Sequence, residues 1–195
     1  MNGGRGGMIS EKEYDKLIKR LEFFDTMRNN LLTFSFTAVL AILGVALTIK
    51  DMNEISSWLC LAPFCLIVPF AARISYYRLA SAHINSFLRK FAGNDMKFEI
   101  GTLEVTENAC KLYSLIAWLV NHEMVMLSLA TSGIFYLKYT TSVKDWTWLN
   151  RIGLIVPILL IILVYVISHS TNNYQGLLDD FEKKWEIYNK KVVIK

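Results

Sequence analysis

The sequence predicts an all-α integral membrane protein with four transmembrane helices and cytoplasmic helical extensions, assembled as a ring-like homo-oligomer. Composition, four long apolar runs and the amphipathic segments beside them lead to this prediction. Of the 195 residues, 53% are hydrophobic and only 19% are charged, and the mean hydropathy is +0.33. A soluble domain is typically about 45–50% apolar and about 25% charged. The composition therefore favours a membrane protein and excludes disordered, collagen-like and disulfide-scaffold chains.

Four apolar runs are the predicted spans, at 31–49, 55–72, 112–137 and 152–168. The first two contain no charged residue, and a spanning helix needs roughly 20 apolar residues. Pro63 and Pro69 interrupt the second run and Pro157 the fourth, which spanning helices tolerate when neighbouring groups satisfy the freed carbonyls. The third run is long enough to tilt, and the fourth is near the short limit. All four runs are therefore expected to cross a bilayer.

The distribution of Lys and Arg predicts the orientation of these spans. Segments 1–30, 73–111 and 169–195 together carry 17 of these residues, whereas segments 50–54 and 138–151 carry four. Because cytoplasmic loops carry the excess of basic residues, both termini are expected in the cytoplasm and the protein in the inner (cytoplasmic) membrane. The sequence predicts a flexible N-terminus at 1–9 and one helical membrane domain at 10–195. No signal peptide is expected.

Three cytoplasmic helices are predicted, at about 10–29, 73–92 and 171–192. Ser10 and Glu13 form a capping-box pattern at the start of the first, and the second continues from the second span without a breaker. Each helix has an apolar stripe that packs either on the lipid surface or against other helices. The third helix carries charges of both signs, which favours packing against helices. Such packing between subunits would make the protein an oligomer. The stripes consist of Tyr14, Leu17, Ile18, Leu21 and Phe24; of Tyr77, Ala80, Ile84, Phe87 and Phe91; and of Tyr174, Leu177, Leu178, Phe181, Trp185 and Tyr188.

Polar residues inside the spans are the candidate pore residues. Asn121, His122 and Glu123 lie near the middle of the third predicted span, where such groups must face protein or water. They form either a hydrogen-bonded cluster between helices or part of an ion path. Two stripes of small and polar residues likewise allow close helix packing or line a lumen: Thr33, Thr37, Ala41, Gly44 and Thr48 in the first span, and Ser114, Ala117, Asn121, Ser128 and Ser132 in the third.

Arg78 and His83 form a second candidate site, beyond the inner end of the second span. Their spacing resembles the motif of HEPN ribonucleases. The resemblance implies that His83 would assist attack by a ribose 2′-hydroxyl and that Arg78 would steady the phosphate. In a regular helix the two residues lie about 140° apart, so one subunit would not easily aim both at one phosphate. An interfacial or structural role for this pair is the alternative.

The layout from Ser10 to Lys195, together with the Arg78 to His83 pair, resembles the membrane accessory proteins of type VI-B CRISPR systems. Those proteins accompany an RNA-guided ribonuclease. The resemblance implies an oligomeric, pore-like assembly that strengthens antiviral defence by disturbing the membrane when the nuclease is active. If each hairpin counts as a unit, the chain also resembles the two-span SLATT effectors of bacterial defence.

The predicted function is therefore a regulated membrane pore, not an enzyme. A membrane-tethered HEPN-like ribonuclease and a passive anchor that recruits a cytoplasmic partner are the alternatives. The sequence has no phosphate-binding glycine loop, no nucleophile elbow and no Cys/His set with metal-ligand spacing, so neither cofactor nor metal is predicted. The expected partners are the bilayer, other copies of the chain and, by functional coupling, an RNA-guided ribonuclease; direct RNA binding is not expected.

Overall fold

The computed structural model describes residues 9–49, 57–91, 118–143 and 148–193. All elements within these ranges are helical, which confirms the predicted all-α class. The helices are α1 (Glu11–Thr48), a 3-10 turn (Leu59–Leu61), α2 (Phe64–Phe91), α3 (Glu123–Ser142), α4 (Trp148–Gly153), α5 (Ile155–His169) and α6 (Tyr174–Val193).

Helix α1 joins the predicted cytoplasmic helix 10–29 and the predicted span 31–49 in one continuous element. The Ser10 hydroxyl accepts the backbone N–H of Glu13 at 3.3 Å, so the predicted cap is present. The Ser10 carbonyl accepts the N–H groups of Glu13 and Tyr14, both at 2.9 Å. Because no proline interrupts the following 38 residues, the helix continues to Thr48.

Helix α2 likewise runs from the predicted span 55–72 into the predicted cytoplasmic helix 73–92. It begins after Pro63, whose carbonyl accepts the N–H groups of Leu66 and Ile67 at 2.9 Å. A proline at a helix start costs little because the first N–H groups have no partner inside the helix. Pro69 lies inside the helix and does not end it. The predicted start at 55 lies outside the described residues.

The remaining helices differ from the predicted bounds by a few residues. Helix α3 extends past the predicted end of the third span at 137 to Ser142, while 112–117 lie outside the described residues. The fourth predicted span corresponds to α5, which α4 precedes. Helix α6 covers most of the predicted cytoplasmic segment 171–192.

Three helical segments of the described residues are long and apolar enough to cross a membrane: Glu11–Thr48, Leu59–Phe91 and Arg151–His169. They support the membrane assignment. Helix α3 is not among them, because Lys138 and several hydroxyl residues lower its apolar character.

The chain divides into two compact units. The first comprises 1–27, 76–117 and 173–195, and the second comprises 28–75 and 118–172. The predicted boundary at 9 stays a prediction, because residues 1–8 lie outside the described ranges. The second unit has an apolar core, with side chains at most 4% exposed that include Val39, Leu43, Ala46, Cys60, Phe64, Ile67, Ala71, Met124, Phe135, Tyr139 and Val164.

Candidate functional site

The small and polar stripe of α1 is exposed in the second unit. Thr33, Thr37, Ala41, Gly44 and Thr48 all lie on the exposed side, and no other side chain lies within 4 Å of a Cβ built on Gly44. The threonine hydroxyls donate to carbonyls of their own helix, for example Thr37 Oγ1 to the Thr33 carbonyl at 2.9 Å. These bonds satisfy each hydroxyl's donor without a neighbouring helix, while its lone pairs remain available to water.

Large apolar residues flank this stripe on both sides. At 100° per residue, the five small or polar residues span about 80° of the helix, inside an exposed arc of about 180°. Phe36, Leu40 and Leu47 border one edge of the stripe, and Phe34 and Val45 border the other. The opposite face of α1, which includes Val39 and Leu43, is buried in the core. The exposed surface therefore has a polar middle and apolar margins.

The corresponding stripe of the third predicted span is buried at Ser128 and Ser132 and half-buried at Asn121. Ser128 has no exposed surface and donates to the Val125 carbonyl at 2.7 Å. Ser132 is 2% exposed, and its buried hydroxyl has no hydrogen-bond partner among the described residues. Ser114 and Ala117 lie outside the described residues. Among the described residues of the two predicted lumen faces, those of α1 are the exposed ones.

Asn121, His122 and Glu123 lie at a break in the helix and not within a regular span. Residues 118–121 are helical, His122 has φ −113° and ψ 18°, and α3 begins at Glu123. The predicted span 112–137 therefore has a one-residue break at His122. Asn121 and Glu123 are half-buried, and both have interaction partners.

His122 is held by contacts on both ring nitrogens. Its Nδ1 lies 2.8 Å from the Trp118 carbonyl, and its Nε2 lies 3.1 Å from Nδ2 of Asn172. Because a carbonyl only accepts and an amide NH₂ only donates, this pattern assigns the proton to Nδ1 and the acceptor lone pair to Nε2. The imidazole also stacks on Trp118, with ring centroids 4.7 Å apart. These contacts fix the orientation of the ring at the helix break.

His83 lies in an aromatic cluster of the first unit. Its ring stacks on Trp185 and meets Phe181 edge-on, each with centroids 5.1 Å away. Burial lowers the pKa of His83, and the positive charges of Arg20 and Lys184 lower it further. The neutral imidazole is therefore favoured in this cluster.

His83 lines a cavity between α1, α2 and α6, and Arg78 is not among the residues that line it. The two residues are five positions apart on α2, which separates their directions by about 140°. Arg78 is half-buried and has a partner of its own. In one protomer the His83 ring packs against α6, and Arg78 points in a different direction.

Sequence reasoning missed several contacts that hold these elements together. Lys138 Nζ donates to the Ala46 carbonyl at 2.5 Å, close to the end of α1, where carbonyls lack partners within the helix. In the first unit, Arg89 pairs with Glu182 at 3.0 Å and Lys90 with Glu186 at 2.6 Å. Basic residues in the last turn of α2 and acidic residues on α6 were the available signal, but spacing does not reveal which helices pair.

Neither metal ligands nor similarity to known proteins identifies a function for this site. Among the described residues, no group of three or more His, Cys, Asp or Glu side chains could hold a metal ion. No family model, curated protein or solved structure matches the chain. The resemblance to CRISPR accessory proteins therefore stays a prediction.

Proposed function

We propose that this protein is a homo-oligomeric membrane protein that forms a pore. The observation that carries the proposal is the exposed polar stripe of α1, which the fold of a single protomer leaves uncovered between apolar margins. Large apolar side chains at the margins suit lipid or a neighbouring copy. The central stripe, with Thr37 and Gly44, suits a water-filled interior shared between copies.

A fourth crossing through α3 is part of the proposal. With 20 residues, α3 is about 30 Å long, which matches the hydrocarbon thickness of a bilayer. Three hydroxyl residues in its middle, Ser128, Thr131 and Ser132, are at most 2% exposed, so other helices shield them from lipid. Four crossings also keep both termini and the basic segment 73–111 on one side, in agreement with the distribution of Lys and Arg.

The biological role follows from the resemblance to CRISPR accessory proteins. The pore acts in antiviral defence at the cytoplasmic membrane and opens when an RNA-guided ribonuclease is active. Asn121, His122 and Glu123 influence the pore indirectly, because the contacts of His122 fix the geometry at the start of α3.

Dye-reported membrane potential in cells that express the protein tests the proposal. We expect depolarisation when the associated nuclease is activated. Gly44→Leu should reduce it at least several-fold, because the added side chain enters the polar stripe at a position where a Cβ meets no neighbour within 4 Å.

Gly133→Leu is the matched control, because Gly133 is also helical and exposed and has no other side chain within 4 Å of a built Cβ. The control should depolarise cells like the parent protein. An unchanged potential with and without active nuclease would contradict the pore and favour the passive anchor. Equal effects of the two leucine substitutions would contradict the assignment of the lumen to α1.

A further inference from the structure

We infer that the first unit contains a binding site for an organic phosphate, in a cavity between α1, α2 and α6. The cavity has a volume of about 470 Å³, within the range of small-molecule sites. Its walls include Arg20 and Phe24 from α1, Tyr76 and His83 from α2, and Phe181 from α6. The site is distinct from the α1 stripe, and the inference does not depend on the proposed pore.

The charge around the cavity is positive. Arg20 lies 5.7 Å from the centroid of the Phe24 ring, and Lys184 lies 5.1 Å from that of Phe181. Neither cation has a carboxylate within 4 Å among the described residues. Both raise the local positive potential enough to lower the pKa of His83, behind the larger effect of burial.

The carboxylates of α6 that form ion pairs are directed elsewhere. Glu182 and Asp179 lie within 4.0 Å of the Arg89 guanidinium, and Glu186 pairs with Lys90. None of these three carboxylates lines the cavity. The fourth acidic residue of α6, Asp180, is exposed and does not line the cavity either. Arg20 is therefore the charged residue among those that line the cavity.

The chemistry of the walls specifies the ligand class. A guanidinium binds phosphate oxygens through a fork of N–H groups, and an imidazole N–H supplies a further donor. Phe24, Leu79 and Phe181 line the cavity and provide apolar surface for the organic part of the ligand. A nucleoside monophosphate and a phospholipid headgroup share this chemistry. Tyr76 follows the predicted end of the second span by four residues, which places the cavity within reach of a lipid headgroup.

Titration calorimetry on the full chain in neutral detergent tests the site with three probes: adenosine monophosphate, dihexanoyl phosphatidylglycerol and inorganic phosphate. We expect saturable binding of at least one organic phosphate, with inorganic phosphate weaker. Binding of adenosine monophosphate alone identifies a soluble ligand, and binding of the lipid alone identifies a headgroup. Arg20→Met should weaken binding at least tenfold, because it removes the guanidinium fork.

Lys90→Met is the matched control, because it removes one positive charge that pairs with Glu186 outside the cavity. It should leave the affinity within about twofold of the parent value. His83→Gln keeps a donor and should have a smaller effect than Arg20→Met. The inference is overturned if no probe saturates the parent protein, or if Lys90→Met weakens binding as much as Arg20→Met does.

Discussion

Trp185 is the residue whose removal should most disturb the packing of α6 on α2. Its ring contacts His83, Phe87 and Phe91 of α2, with centroids between 4.9 and 6.3 Å apart. Replacing a core tryptophan by alanine costs about 3–5 kcal/mol, and Trp185 is only partly buried, so we expect the lower end. About 3 kcal/mol corresponds to a roughly 100-fold larger equilibrium constant for opening of α6.

Hydrogen exchange of the α6 amides measures this opening directly. Trp185→Ala should accelerate exchange across α6 about 100-fold, whereas Tyr188→Ala, at a position 59% exposed, should change it only slightly. Trp185→Phe should retain most of the protection. It keeps an aromatic ring and removes the indole N–H, which is buried without a partner among the described residues. Equal acceleration by Trp185→Ala and Tyr188→Ala would refute the assignment of Trp185 as the principal contact.

Two further predictions concern steric space and pH. Gly153→Ala should lower the thermal midpoint by several degrees, because its Cβ would lie 2.6 Å from the hydroxyl oxygen of the buried Tyr139; Gly133→Ala, in open space, should not. A scanning fluorimetry comparison in one detergent checks this pair, and equal midpoints would contradict it. Folding lowers the pKa of His83 from its ordinary value of 6.5. The free energy that the packed neutral imidazole contributes to folding is therefore fully present above pH 6.5 and is lost as the pH falls through the lowered pKa. Arg20→Met should raise this pKa in an NMR titration of the imidazole, and an unchanged value would contradict the charge effect.

The helices could be predicted from the sequence because their signals are local. Ser10 marks the start of α1. No helix-breaking residue separates the first predicted cytoplasmic helix from the first span, or the second span from the second cytoplasmic helix, so α1 and α2 are each continuous. Apolar periodicity also identified the faces that α2 and α6 bury, including that of Trp185.

The arrangement of the candidate site could not be predicted, because it depends on contacts between distant segments. Both stripes consist of small and polar residues, yet Ser128 is buried by packing and Thr37 is exposed. The break at His122 is accompanied by a bond to Asn172, which lies 50 positions away in the sequence. The hydrogen bonds from Lys138 to the Ala46 and Ile49 carbonyls at the end of α1 also join segments that are about 90 positions apart.

Reactivity of single cysteines tests the central claim that the α1 stripe faces water within an assembly in the membrane. The background carries serine at Cys65 and Cys110 and keeps Cys60, which is fully buried. Thr37→Cys and Phe36→Cys lie at nearly the same depth but point about 100° apart. With the nuclease active, a membrane-impermeant thiol reagent should modify Thr37→Cys and block depolarisation, and leave Phe36→Cys unmodified. Equal protection or equal reaction of the two cysteines would contradict the account.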